Sequence, residues 1–254
     1  MKYPIKRIFA LLMAASVCFG AVSGMGVSAS AEETIPETNA YVLSYEGLEA
    51  QCIEINGGNI DLLASDDGMN AAGGNDESGF GRNDMFANDA NAYIRINGGV
   101  LKLNAGGDGI DSNGSIYVTG GETYLSGPTN NGNGSLDYGG EATVSGGIFV
   151  AAGSSGMATG FGSNSTQGAI FVSYNTQPAG SKVSLTDATG NVVFIWETVK
   201  QSSSIVLSCP EILQGETYHL VVGAIEGDII MTDIIYGYSN GGHGGAPGGR
   251  PGRP

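Results

Sequence analysis

The chain has 254 residues, of which 44 are glycine and 8 proline, and it carries 25 acidic against 10 basic side chains for a formal net charge of −15. No Gly-X-Y triplet runs through it, which excludes collagen, and a hydrophobic content of 41% argues against wholesale disorder. The acidic balance repels anionic polymers at long range and so argues against nucleic acid as a partner. With two histidines and no P-loop match, little room is left for a His-based zinc site, a Ser-His-Asp triad or a nucleotide phosphate loop.

The N-terminus places Lys2, Lys6 and Arg7 before an apolar run over residues 8–22 and the small residues Val27 to Ala31. This pattern predicts a secretory signal peptide over residues 1–31, cleaved after the Ala29-Ser30-Ala31 motif; the run is short for a membrane anchor. Val17 before Cys18 argues against lipid attachment, which wants a small residue there. Cleavage removes three basic and no acidic residues and leaves two cysteines, Cys52 and Cys209, readable either as one bridge or as two buried thiols. Residues 32–44 form a short lead.

Over residues 45–166 the glycines are paired at a repeat: Gly57-Gly58, Gly98-Gly99, Gly120-Gly121 and Gly146-Gly147. Each pair stands between two alternating apolar segments, with Ile53 and Ile55, Ile94 and Ile96, Ile116 and Val118, Ala142 and Val144 before it. After it come Ile60 and Leu62, Leu101 and Leu103, Thr123 and Leu125, Phe149 and Ala151. Period two puts each set on one face of a strand. A third element follows, centred on Leu48, Met69, Ile110, Leu136 and Met157, at steps of 21, 41, 26 and 21 residues. Three short strands per unit without helical periodicity predict an all-β fold, a parallel β-helix whose glycine pairs turn corners with φ > 0. The 41-residue step reads as one unit carrying a polar loop, residues 71–92.

The unit pattern then fades into alternating strands expected at 169–174, 182–186, 192–196, 204–208 and 217–222. They make residues 167–238 a β-rich section that caps the open end of the helix, with a separate small domain as the alternative. The Gly-rich tail 239–254 has nothing to bury and is expected to be disordered.

Polarity recurs on the third strand. Glu49, Asn70, Asp111 and Asp137 follow the apolar centre directly, and Asp67 and Asp108 precede it by two positions, with Asp66 adjacent. At a strand spacing of ~4.8 Å stacked carboxylates repel by ~3 to 4 kcal/mol at an effective dielectric near 20. Oxygen donors without His or Cys suit a hard cation, and Ca²⁺ suits a loop-lined site better than Mg²⁺. The metal candidates are therefore Asp66, Asp67, Asn70, Asp108, Asp111 and Asp137. Asx turns at the corners account for single copies, less easily for two matched columns. In the long loop Asp76, Glu77, Asp84 and Asp89 are further acids, more simply read as solvated surface.

The register also assigns outward columns: Asp61, Lys102, Tyr124 and Val150 after the glycine pairs, and Glu54, Arg95, Tyr117 and Thr143 before them. Lys102 and Tyr124, with Tyr138 after Asp137, form the candidate binding surface for a sugar carboxylate.

The units INGGNIDLLASDDGMNA (55–71), GGDGIDSNGSIYVTGG (106–121) and GNGSLDYGGEATVSGG (132–147) resemble a group of secreted clostridial carbohydrate-binding proteins built on a right-handed parallel β-helix related to polysaccharide lyases. The resemblance runs over about residues 45–218, with GDGIDSNGS its most specific part. It implies binding of cellulose and of acidic polysaccharides such as polygalacturonate, structural calcium, and Asp67, Asp108, Asp111 and Asp137 as the motif acids, without lyase activity. The rivals are a calcium-dependent lyase with Lys102 as base and a structural cell-surface protein.

Overall fold

The computed structural model describes residues 15–17, 39–71 and 89–237, and among them the protein is all-β without helices. The rest of the expected leader, loop residues 72–88 with Asp76, Glu77 and Asp84, and the tail lie outside the described residues. β1 (Ala15–Val17), within the expected leader, pairs antiparallel with residues 53–55.

The alternating segments form β2 (Asn39–Ser44), β3 (Leu48–Glu49), β4 (Cys52–Ala64), β5 (Met69–Ala71), β6 (Tyr93–Ala105) and β7 (Ile110–Ser112). They continue as β8 (Ser115–Val118), β9 (Glu122–Ser126), β10 (Leu136–Tyr138), β11 (Ala142–Val144) and β12 (Ile148–Gly153). Each pairs in parallel with its counterpart in the next unit, giving three stacks. Before the glycine pairs the order is β4, β6, β8, β11; after them it is β2, β4, β6, β9, β12. The third elements stack as β3, β5, β7, β10. β4 and β6 are direct neighbours, Ile53 opposite Ile94 and Leu62 opposite Leu103, so the 41-residue step is one unit with an insertion. That insertion is shorter than expected, since Ala71 ends β5 and Ala92 is buried beside the next strand.

The second glycine of every pair has the positive φ the corner requires, +79° to +88° at Gly58, Gly99, Gly121 and Gly147. L-residues avoid this region and glycine enters it freely. The predicted inward residues stack into one apolar column set from Ile53 to Phe149.

Three expectations need correction. Met157 is not an interior residue but 37% exposed, because no strand forms beyond β10 in the third stack. Phe161 fills the end instead, its ring meeting Phe149 edge-on with centroids 4.9 Å apart. Val150 is buried rather than solvent-facing, because the C-terminal section covers the outer side of β12. That section also closes the stack differently from a simple lid. β13 (Ala169–Gln177), β14 (Lys182–Asp187), β15 (Val192–Glu197), β16 (Ser202–Ser208) and β17 (Thr217–Val222) fall where expected. β16, however, adds antiparallel to β12 and β13 adds to β16, so the last parallel edge is consumed as a ladder. β14, β15, β17 and β18 (Ile225–Ile230) form a separate antiparallel sheet. Val183, Leu185, Phe194 and Leu220 of that sheet share a second core with Val150, Ile170, Ile205 and Leu207. β18 escapes the sequence pattern because Gly227 interrupts its alternation, and β19 (Ile235–Tyr236) is too short to carry one. Cys52 and Cys209 are both buried.

Candidate metal centre

The turns that lead from the second stack into the third lie on top of one another. Gly47 N–H donates to the Asp67 carbonyl (2.9 Å), Gly68 N–H to the Asp108 carbonyl (2.9 Å) and Gly109 N–H to the Gly134 carbonyl (3.0 Å). Glu46, Asp67 and Asp108 therefore occupy one column. Strand register puts Glu49, Asn70, Asp111 and Asp137 in a second column beside it. Both columns expected from the sequence exist, and between them carboxylate oxygens of Asp67, Asp108 and Asp111 converge to within 4.8 Å of one another.

The hydrogen bonds of these acids join units rather than closing local Asx turns: Asp67 Oδ1 accepts from Asp108 N–H (2.7 Å) and Asp108 Oδ1 from Gly134 N–H (2.5 Å). Beside them Asn70 is 6% exposed, and its Oδ1 is buried without a hydrogen-bond partner among the described residues; Glu46 Oε2 is buried in the same condition. Buried polar atoms are normally satisfied, so an orphaned acceptor next to three acids marks a place for a donor or a cation. Gly107 lets the carboxylates crowd in, since a Cβ there would come within 2.4 Å of Oδ1 of both Asp66 and Asp67.

Electrostatics point the same way. Burial first, then the charges of Asp67, Asp108, Asp137 and Glu46, pushes the Asp111 carboxyl up to about 8. Asp108 is raised to about 7 chiefly by burial, against the Gly134 N–H, which favours the charged form, and with the charges of Asp67, Asp137 and Asp66 adding to the rise. Glu46 rises to about 7 for the same reasons, burial followed by Asp67, Asp66 and Glu49. Among the described residues no ion pair joins Asp108 or Asp111 to a basic group. A cluster of oxygen donors without His or Cys is chemically matched to a hard divalent cation. Asp67, Asp108 and Asp111 would hold it, with Asn70 Oδ1 and Glu46 as further oxygens.

The remaining expected residues separate from this centre. Asp66 flanks it and raises the pKa of nearby Tyr45, and Asp137 stands one unit beyond Asp111. Asp89 belongs to a turn, accepting from Asn91 N–H (2.9 Å) and Gln51 Nε2 (3.2 Å), which lowers its pKa. Lys102 is exposed, in register between Asp61 and Tyr124 as expected, and no ion pair joins it to the acids. Tyr124 donates to Glu122 Oε2 (2.8 Å) and packs against the second core, burial raising its pKa to about 12. The Tyr138 ring packs partly against the interior and its hydroxyl donates to the Gly160 carbonyl (2.8 Å).

Two features escaped the sequence reading. Glu46 was legible, since it precedes Leu48 by the same two positions as Asp67 precedes Met69. Lys200 was not: it reaches from the C-terminal section to the Ala105 carbonyl at the end of β6, and burial lowers its pKa to about 8. No protein-family model, curated protein or solved structure matches the chain.

Proposed function

We propose that the chain is a secreted, right-handed parallel β-helix that binds plant cell-wall polysaccharide, acidic pectic polymers such as polygalacturonate together with cellulose, and holds calcium in its acidic centre. Parallel strands joined by crossovers in one sheet are almost always right-handed, which supports the hand. The basic, apolar and small-residue pattern of residues 1–31 supports secretion, and among the described residues no helix is long and apolar enough to cross a membrane.

The observation that carries the reading is the convergence of Asp67, Asp108 and Asp111 beside Asn70 Oδ1, which has no hydrogen-bond partner among the described residues. Bound calcium would place a positive charge among these acids. It would also give a protein of net charge −15 a local point of attraction for an acidic polymer. The GDGIDSNGS segment, whose resemblance suggested this function, contributes Asp108 and Asp111 to that centre.

A lyase needs a base beside the cation. Lys102 makes no ion pair with the acids, and the Lys200 ammonium is turned to a carbonyl, so binding without cleavage is the reading proposed here. The test is titration with polygalacturonate and with cello-oligosaccharide, in calcium and in EGTA. Affinity for the acidic polymer should collapse on chelation, and affinity for the neutral one should fall less. Equal binding of the acidic polymer in both buffers would remove the cation's role, and no binding of either polymer would remove the glycan reading. Growth of an unsaturated-uronide absorbance, abolished by Lys102→Ala, would replace it with the lyase.

A further inference from the structure

The first stack presents a second polar constellation on its outer side. Tyr93 and Arg95 share the outward face of β6, and Tyr117 of β8 stands opposite Arg95, with Glu54 of β4 on its other flank. The guanidinium carbon lies 5.0 Å from the Tyr93 ring centroid and 5.4 Å from that of Tyr117. Glu54 Oε1 accepts both from Arg95 Nη1 (3.2 Å) and from the Tyr93 hydroxyl (2.9 Å). Two ring faces and one carboxylate oxygen thus hold a side chain that would otherwise sample many rotamers, while it stays 41% exposed. Holding it in advance removes much of the entropy cost of using it for binding.

We infer that Arg95, clamped between Tyr93 and Tyr117 on the outer face of the first stack, is the anchor for a sugar carboxylate of an acidic glycan, on a different face from the acidic centre. The inference rests on the polysaccharide-binding reading and deepens it by naming the contact. Guanidinium offers five N–H donors in a planar fork that matches a carboxylate, and Glu54 engages Arg95 through Nη1. Charge favours a carboxylate over a neutral sugar, because the ring faces are turned toward the cation and the patch offers a positioned positive group. The acids that share this outer side are Glu54 and Glu141, and Glu141 Oε2 already accepts from Asn164 Nδ2 (2.8 Å). In the stacked strands Arg95 and Lys102 are the basic residues, and Arg95 is the one that its neighbours immobilise.

This arrangement makes Glu54 a competitor as well as a support, which yields a test with opposite signs. Trigalacturonate is titrated in calcium into the wild type, Arg95→Gln and Glu54→Gln, with cellotriose as the neutral control. Arg95→Gln should weaken trigalacturonate binding by about tenfold or more. Glu54→Gln keeps an oxygen acceptor, removes the competing charge, and should tighten binding by about threefold or more. Cellotriose binding should move in neither variant. If Arg95→Gln fails to fold, Glu54→Gln decides alone: tightening supports the anchor, and unchanged or weaker binding overturns it. Unchanged affinity in both variants, with the wild type binding normally, overturns the anchor and leaves the polysaccharide reading standing. A wild type that binds neither sugar nor polymer fails that reading, and the anchor falls with it.

Discussion

Neutralising Asp111 should stabilise the cation-free protein at alkaline pH and abolish most of its response to calcium. In the fold, burial and the charges of Asp67, Asp108, Asp137 and Glu46 raise its carboxyl from the ordinary 3.8 to about 8. Each unit of difference between folded and unfolded states is worth ~1.4 kcal/mol, so ionising this group costs the cation-free fold on the order of 6 kcal/mol. A raised folded pKa means that the folded state keeps a proton the unfolded state gives up. The cost is therefore absent in acid, grows as pH rises from about 4 to about 8, and is complete above that. Asp108 and Glu46, each raised to about 7, act in the same direction. The assay is thermal unfolding followed by circular dichroism at pH 5 and pH 9, in EGTA and in calcium. The wild type in EGTA should lose midpoint between the two pH values and recover it in calcium. Asp111→Asn, which keeps the shape without the charge, should fall less and respond little to calcium. Glu216→Gln, exposed in the C-terminal section, should behave as the wild type. A wild-type midpoint in EGTA that is equal at pH 5 and pH 9, or an Asp111→Asn variant less stable than wild type at pH 9 in EGTA, would refute the argument.

Ile110, fully buried between Met69 and Leu136 in the third stack, should cost ~2 to 5 kcal/mol on replacement by alanine, whereas Met157→Ala should cost far less; urea denaturation compares the two. Phe161→Ala should cost ~3 to 5 kcal/mol by the same measurement, because it opens a cavity against Phe149 at the end of the parallel stack. Gly58 and Gly121 have nearly the same φ, but a Cβ on Gly58 meets nothing within 4 Å and one on Gly121 would lie 2.7 Å from the Gly98 backbone. Both alanine variants should lose ~1 to 2 kcal/mol to left-handed strain, and Gly121→Ala should lose more, as melting midpoints will reveal.

Much of the architecture was legible because the repeat pairs in parallel unit by unit: each unit contacts the next at equal offsets, so sequence offset and strand register are the same thing. Alternation at Ile94 and Ile96, at Leu101 and Leu103, and the recurring glycine pairs were enough to place inward columns, the positive-φ corners and the alignment of Asp67 with Asp108 and of Asn70 with Asp111. Alternation carries no information about what lies against a strand's outer face. Val150 reads like Asp61 or Lys102 in the pattern, and only the sheet containing Val183 and Leu185, packed there by tertiary contact, decides that it is buried. The same limit hid the inward packing of Tyr138, the arrival of Lys200 from a segment 95 residues away, and the loss of a strand at Met157. The acid columns were therefore determined by the repeat alone. Their convergence, burial and raised pKa values depend on how the turns stack and exclude water, and this the tertiary structure decided.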